Sequence, residues 1–218
     1  MCYRFICGKR LMKNSSLRLL VIAIGLNLIV STFASASFFE FNPRPNDLKE
    51  LSHSEYFSWG INLALEPGEK IKAATLKFSN IRDWTEEEDD HLFIHLLDNP
   101  KKGSISYIDS HSAGDNFAGK GKLICDWSDP QGGSSRNFDL VIDLGILGFL
   151  DELNDYAATA PENRHGNFGF GIDPDCHYYN NGVTFSITTE IPPPNSNVPE
   201  PATMTILLAG GLLVCLKK

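Results

Sequence analysis

The densest run of donor atoms in the chain is Gly169–Gly182, which reads Gly-Phe-Gly-Ile-Asp-Pro-Asp-Cys-His-Tyr-Tyr-Asn-Asn-Gly. Asp173, Asp175 and Asn180, together with backbone carbonyls, supply the hard oxygen donors of which calcium takes about 6–8. Their spacing is not that of an EF-hand. The plainer alternative is a turn in which Asp, Pro and Asn satisfy backbone groups while Cys176 pins the loop. A second oxygen cluster, Glu86-Glu87-Glu88-Asp89-Asp90, is expected to be a solvated loop. Beside it, Trp84 could stack on a sugar ring, as could Trp59, Trp127, Tyr178 or Tyr179, with Trp84 and Tyr178 the leading candidates. Trp59 lies on the apolar face of a strand pattern and is expected in the core.

Other chemistry is hard to place. His91 and His95 face one way with Phe93 between them, but on a strand their imidazoles would be about 13 Å apart, too far for one ion to bridge. They are expected at the surface. A helical zinc motif would need a helix and a following Glu, and neither is present. The chain has no nucleophile elbow, phosphate loop, dinucleotide fingerprint or zinc cysteine pair. A glycosidase needs two carboxylates about 5–9 Å apart, and although acids are plentiful, nothing in the sequence singles out a pair.

These residues would sit on a framework that reads mainly as β. Trp59, Ile61, Leu63 and Leu65 alternate with Ser58, Gly60, Asn62 and Ala64, the period of a half-buried strand. Glu66-Pro67-Gly68-Glu69 is a turn. In Ile71–Phe78 the residues Ala74, Leu76 and Phe78 share a face and Ile71 falls out of phase, which predicts a bulge near Ala73. Further strands are expected at 91–98, 104–109, 122–127, 138–144, 168–172 and 183–188, with a loop over 80–90. Ile146, Leu147, Leu150, Leu153 and Tyr156 have helical spacing and predict one short helix over Ile146–Ala158. About eight short strands with no βαβ rhythm predict an antiparallel β-sandwich, jelly-roll-like, over residues 37–190.

The two ends read as addresses. Arg4, Lys9, Arg10, Lys13 and Arg18 precede the apolar run Leu19–Phe33, and Ala34-Ser35-Ala36 follows. A basic region, an apolar segment and an Ala-x-Ala site make a secretory signal peptide over residues 1–36, cut by signal peptidase between Ala36 and Ser37. Either Met1 or Met12 suits as the start. Residues 191–198 form a Pro- and Asn-rich linker. After Pro199-Glu200-Pro201 comes the apolar stretch Ala202–Leu216 and the terminal pair Lys217-Lys218, an apolar helix suited to a membrane and short for a full span.

Val198-Pro199-Glu200-Pro201-Ala202-Thr203, the Leu- and Gly-rich segment and the basic end together resemble the PEP-CTERM sorting signal, also known as the ice-binding protein C-terminal domain. The resemblance covers about the last 20 residues, and two terminal basic residues stand where several are usual. It implies export in a Gram-negative bacterium, retention in the inner membrane by the tail, and cleavage at the Pro-Glu-Pro motif by an exosortase-type protease. Release or attachment to the cell surface or extracellular matrix follows. The Gly169–Gly182 loop likewise resembles one in uncharacterised extracellular proteins with the same tail. Ice binding itself would need regular Thr-rich repeats, which Thr184, Thr188 and Thr189 do not make.

Trimming both ends sharpens the composition. Of the 19 basic residues, five leave with the leader and two with the tail, so 12 remain; of the 27 acids only Glu200 leaves, so 26 remain. The middle segment is near −14, which disfavours nucleic acid and anionic membrane as partners. Of the five cysteines, Cys125 and Cys176 are left. In an oxidising compartment they are expected to pair, closing a loop of about 50 residues worth roughly 3–4 kcal/mol. Two buried free thiols are the alternative. The expected function is a non-catalytic surface or matrix module binding polysaccharide, with calcium as a structural ion. The rivals are a small secreted polysaccharide hydrolase and a purely structural spacer.

Overall fold

A computed structural model describes residues 36–84, 90–110, 114–128, 138–161 and 164–191. Ala34, Pro199, Glu200 and Pro201 lie outside the described residues, as do the leader's apolar run, the tail helix and the acidic residues Glu86–Asp89. Among the described residues, no helix is long and apolar enough to cross a membrane.

The described chain is mainly β, with antiparallel sheets and one helix. Its strands are β1 (Ala36–Phe41), β2 (Glu55–Ile61), β3 (Lys70–Asp83), β4 (Leu92–Asp98), β5 (Gly103–Ile108), β6 (Lys122–Trp127), β7 (Phe138–Asp143), β8 (Phe168–Pro174), β9 (Tyr178–Tyr179) and β10 (Val183–Glu190); α1 (Leu150–Ala158) lies between β7 and β8. One sheet has the order β1-β10-β3-β7, with β9 added against the end of β3. The other has the order β5-β2-β8-β4-β6.

Period-two alternation aims one face of each strand at a shared core. Val183, Phe185 and Ile187 of β10 are buried, while Thr184, Ser186 and Thr188 between them are only partly so. The Phe185 ring meets the edges of Phe168 and Phe170 from β8, with centroids 5.9 and 4.8 Å away. One hydrophobic cluster thus draws on both sheets. Burying each such side chain is worth about 1.5–3 kcal/mol.

Strand β8 departs from simple alternation, because all seven of its residues are buried. The loop after β5 lies over its outer face. A Cβ at Gly171 would stand 2.7 Å from the Phe117 ring, and one at Gly169 would stand 2.1 Å from the Trp59 carbonyl. The alternating glycines of β8 are therefore the space into which a covering loop and a neighbouring strand fit.

Several expectations hold and others change. Trp59 is in the core. Glu66–Glu69 closes a turn with the Glu69 N–H donating to the Glu66 carbonyl at 2.9 Å. Thr188 pairs with Ala73 and Thr189 with Ile71, leaving Lys72 as an extra residue next to the predicted bulge position. Strand β3 does not end at Phe78. A second irregularity around Asn80, whose φ is +47°, resets the phase, and the strand runs on to Asp83. Strands β1 and β9 were not expected. The helix starts at Leu150 rather than Ile146, since the Asp143 carboxylate accepts the Gly145 and Ile146 N–H groups in a turn.

The expected Cys125–Cys176 disulfide is not formed; both are free thiols. Cys125 lies on edge strand β6 opposite Ile94, packed against the core. The Cys176 thiol instead donates to Asp83 Oδ1 at 2.8 Å. Burial, reinforced by Asp126, pushes the Cys125 thiol up to about 11. Burial and the bond to Asp83 push Cys176 up to about 12. Neither is a ready thiolate, which is the form that attacks to make a disulfide.

Candidate functional site

The topology gathers the polar chemistry at one end of the domain. That end is made by the finish of β3 and β8, the start of β2 and β4, and the loop that follows β5. It carries two sets of acids and an exposed aromatic group.

The first acidic set lies on the outer face of the second sheet. Asp173 follows Gly171 in the outward phase of β8 and is fully buried. The Asn116 backbone N–H donates to its Oδ2 at 2.5 Å and the Asn116 side-chain amide to its Oδ1 at 3.4 Å. Gly114 N–H donates to Asp175 Oδ1 at 3.1 Å. The loop that supplies these donors is itself fixed. Asp115 accepts the Phe117 N–H at 2.8 Å and meets His95 Nε2 at 2.8 Å, while His95 Nδ1 faces the Lys120 carbonyl at 3.1 Å. Burial raises Asp173 to about 6 against the opposing pull of the Asn116 bonds, with Asp109 and Asp175 adding to the rise. Burial raises Asp175 as well.

The second set lies on the interior side. Asp83, Asp90 and Cys176 are all buried, and one donor atom from each lies within 4.8 Å of the others. Asp83 is the last inward-facing residue of β3, and Tyr178 of β9 is its direct register partner. Tyr178 is completely buried with its ring 5.2 Å from that of Trp127, and among the described residues its hydroxyl has no hydrogen-bond partner. Burial, then the charges of Asp83, Asp90 and Cys176, push its phenol far above the usual range.

The third feature is an aromatic rim. Trp84, immediately after β3, is 55% exposed. The His177 ring meets it edge-on at 5.3 Å, and Tyr179 lies 6.4 Å away at a tilt. The Arg82 guanidinium sits 5.2 Å from the Tyr179 ring centre, a cation–π contact. Glu50 reaches His177 at 3.6 Å from a short 3-10 turn, Lys49–Leu51. That turn is left-handed: Leu48, Lys49, Glu50 and Leu51 have φ of 50°, 56°, 57° and 47°. Such backbone costs about 1–2 kcal/mol per residue and persists only where its surroundings impose it. Here Leu48 and Leu51 are buried in the core, and the Asn180 amide donates to the Asp47 carbonyl at 2.9 Å.

The calcium set read from the sequence is not assembled. Asp173 and Asp175 come together, but Asn180 is engaged elsewhere, with its Oδ1 accepting the Gly182 N–H at 3.0 Å and its amide bound to Asp47. The true neighbours of Asp173 are Asp109, Asp175 and Asn116, because the loop after β5 folds over β8. The two leading sugar platforms also part company. Trp84 is exposed, but Tyr178 is sealed in the core, since its strand phase puts it on the Asp83 side. Tyr179, the next residue, takes the outward position beside Trp84. His95 is not at the surface either; Phe117 and the Asp115 loop bury it to 3% exposure, while His91 pairs with Asp126 at 2.6 Å nearer the solvent.

Sequence reasoning missed Asp83, Arg82 and the loop residues Asp115 and Asn116. Asp83 had a signal: once the phase resets at Asn80, it stands two residues beyond Ile81 on the inward face. Asn116 had none, because its partner Asp173 is 57 residues away. No protein-family model matches the chain, and no curated protein matches it.

Proposed function

We propose that the chain is an exported bacterial cell-surface or extracellular-matrix protein whose β domain is a non-catalytic polysaccharide-binding module. In this reading, signal peptidase removes residues 1–36, and an exosortase-type protease cuts at Pro199-Glu200-Pro201 after the tail has held the chain in the membrane. Strand β1 begins at Ala36, so a cut after Ala36 would leave the domain's edge strand almost whole. The domain is read as a β-sandwich of the jelly-roll kind. Without the inserted β5 and the two-residue β9, the strands renumber in chain order so that β6, β7, β8 and β10 become fifth to eighth. The sheets are then 1-8-3-6 and 2-7-4-5, the jelly-roll order, which lectin domains share with unrelated functions.

The observation that carries the binding reading is the exposed Trp84, braced by His177 and Tyr179 at the rim. A sugar ring presents an apolar face that stacks on such a surface, and Arg82 and Glu50 beside it can donate and accept hydrogen bonds from hydroxyls. Calcium drops out of the proposal, because the sequence-derived ligand set does not converge. Millimolar calcium is expected to leave the melting temperature where chelator leaves it. The binding test is affinity electrophoresis of the protein through gels containing extracellular polysaccharide. The wild type should be retarded, and Trp84→Ala should run unretarded with an unchanged melting temperature. Equal retardation of both would refute the rim as the binding surface.

The hydrolase reading has one observation in its favour, the raised Asp173 beside Asp109 and Asp175. That carboxylate is sealed under Asn116, out of reach of a substrate in this conformation. Release of reducing ends by the wild type and its loss in Asp173→Asn would favour the enzyme over the binding module.

A further inference from the structure

We propose that Asp83, Asp90 and Cys176 bind one transition-metal dication of the zinc class, with Tyr178 completing the site. The three donors come from three separate segments: the end of β3, the residues before β4, and the turn after β8. Their convergence to within 4.8 Å is a product of the fold rather than of local sequence. The independent pointer to a ligand is Tyr178. Directly opposed residues of an antiparallel pair leave the same face of the sheet, so its side chain shares the side of Asp83. It is fully buried, yet among the described residues its hydroxyl has no hydrogen-bond partner. Leaving a buried hydroxyl unsatisfied is costly, and a water held on a metal would give it one.

The donor types choose the ion. A hard cation such as calcium or magnesium takes oxygen alone and makes no use of a thiolate. Zinc takes sulfur at about 2.3 Å and carboxylate oxygen at about 2.0–2.2 Å in a four-coordinate shell. Two carboxylates and one thiolate fill three positions, and a water facing Tyr178 fills the fourth. Closing the present donor spread onto such an ion takes inward movement on the order of 1 Å, within the reach of side-chain adjustment. On binding, the Cys176 S–H bond breaks, the sulfur lone pair goes to the metal, and the proton now donated to Asp83 leaves to solvent. Asp90 and Cys176 each keep 5% of their surface, which gives the ion a way in at the rim.

Cobalt titration of the full chain in detergent tests this, with Cys2, Cys7 and Cys215 replaced by serine so that only Cys125 and Cys176 remain. The site predicts a sulfur-to-cobalt charge-transfer band that saturates at one equivalent and is displaced by zinc and not by calcium. Cys176→Ser should abolish the band and Cys125→Ser should keep it. Should Cys176→Ser fail to fold, Asp90→Asn and Tyr178→Phe carry the test through the retained thiol, with Tyr178→Phe weakening the metal by roughly 10–100-fold. No band, a band that follows Cys125, or unchanged affinity in both Asp90→Asn and Tyr178→Phe would overturn the site.

Discussion

Asp173 shows how a single side chain can report on a covering loop. Folding raises its pKa from about 4 to about 6, so the folded state holds the proton more tightly than the unfolded chain does. Stability from this group is therefore highest below about pH 4 and is lost as pH rises through about 6, opposite to most carboxylates. A shift of this size corresponds to about 2–3 kcal/mol at neutral pH. Urea unfolding of wild type and Asp173→Asn at pH 4 and pH 7 should show the variant gaining on the wild type at the higher pH. A pH-independent difference would mean that burial does not set the Asp173 proton. The sequence made Asp173 and Trp84 stand out by residue type alone. It could not separate Tyr178 from Tyr179, because a two-residue strand has too little pattern to give its phase.

At the scale of elements, the polar end of the domain rests on two enforced conformations. The left-handed turn at Leu48–Leu51 is held by its two buried leucines. Leu51→Ala should cost about 2–5 kcal/mol in chemical denaturation. Glu50→Gly should gain about 0.5–1 kcal/mol, because glycine relieves the left-handed strain at the price of some chain entropy. A loss of stability in Glu50→Gly would show that the Glu50 contact with His177 outweighs the strain. The second enforced contact is Phe117 on Gly171. Gly171→Ala puts a Cβ into the ring and should cost about 1–3 kcal/mol while exposing the Asp115 loop to proteolysis. Strands such as β10 were legible because one face is buried and the other only partly so. The full reach of β3 was not, since an irregularity at Asn80 breaks the alternation that sequence reading follows. Nothing local announces a left-handed turn in non-glycine residues, because it is imposed by contacts with distant strands.

For the whole molecule, alternation and the absence of a βαβ rhythm were enough to predict antiparallel sheets with one helix. They could not supply strand order, which depends on pairings such as Phe41 with Phe185 far along the chain. The free thiols show the same limit, since cysteine count suggests a disulfide and only the fold directs Cys176 to Asp83. In the proposed reading, the domain meets polysaccharide only after export and removal of both ends. The direct measurement is the intact mass of the protein recovered from the surface fraction of a Gram-negative host that has an exosortase. The account predicts a chain that begins at Ser37 and ends at or just before the Pro199-Glu200-Pro201 motif. Recovery only from the cytoplasm, with residues 13–36 and the Lys217-Lys218 terminus still attached, would contradict it.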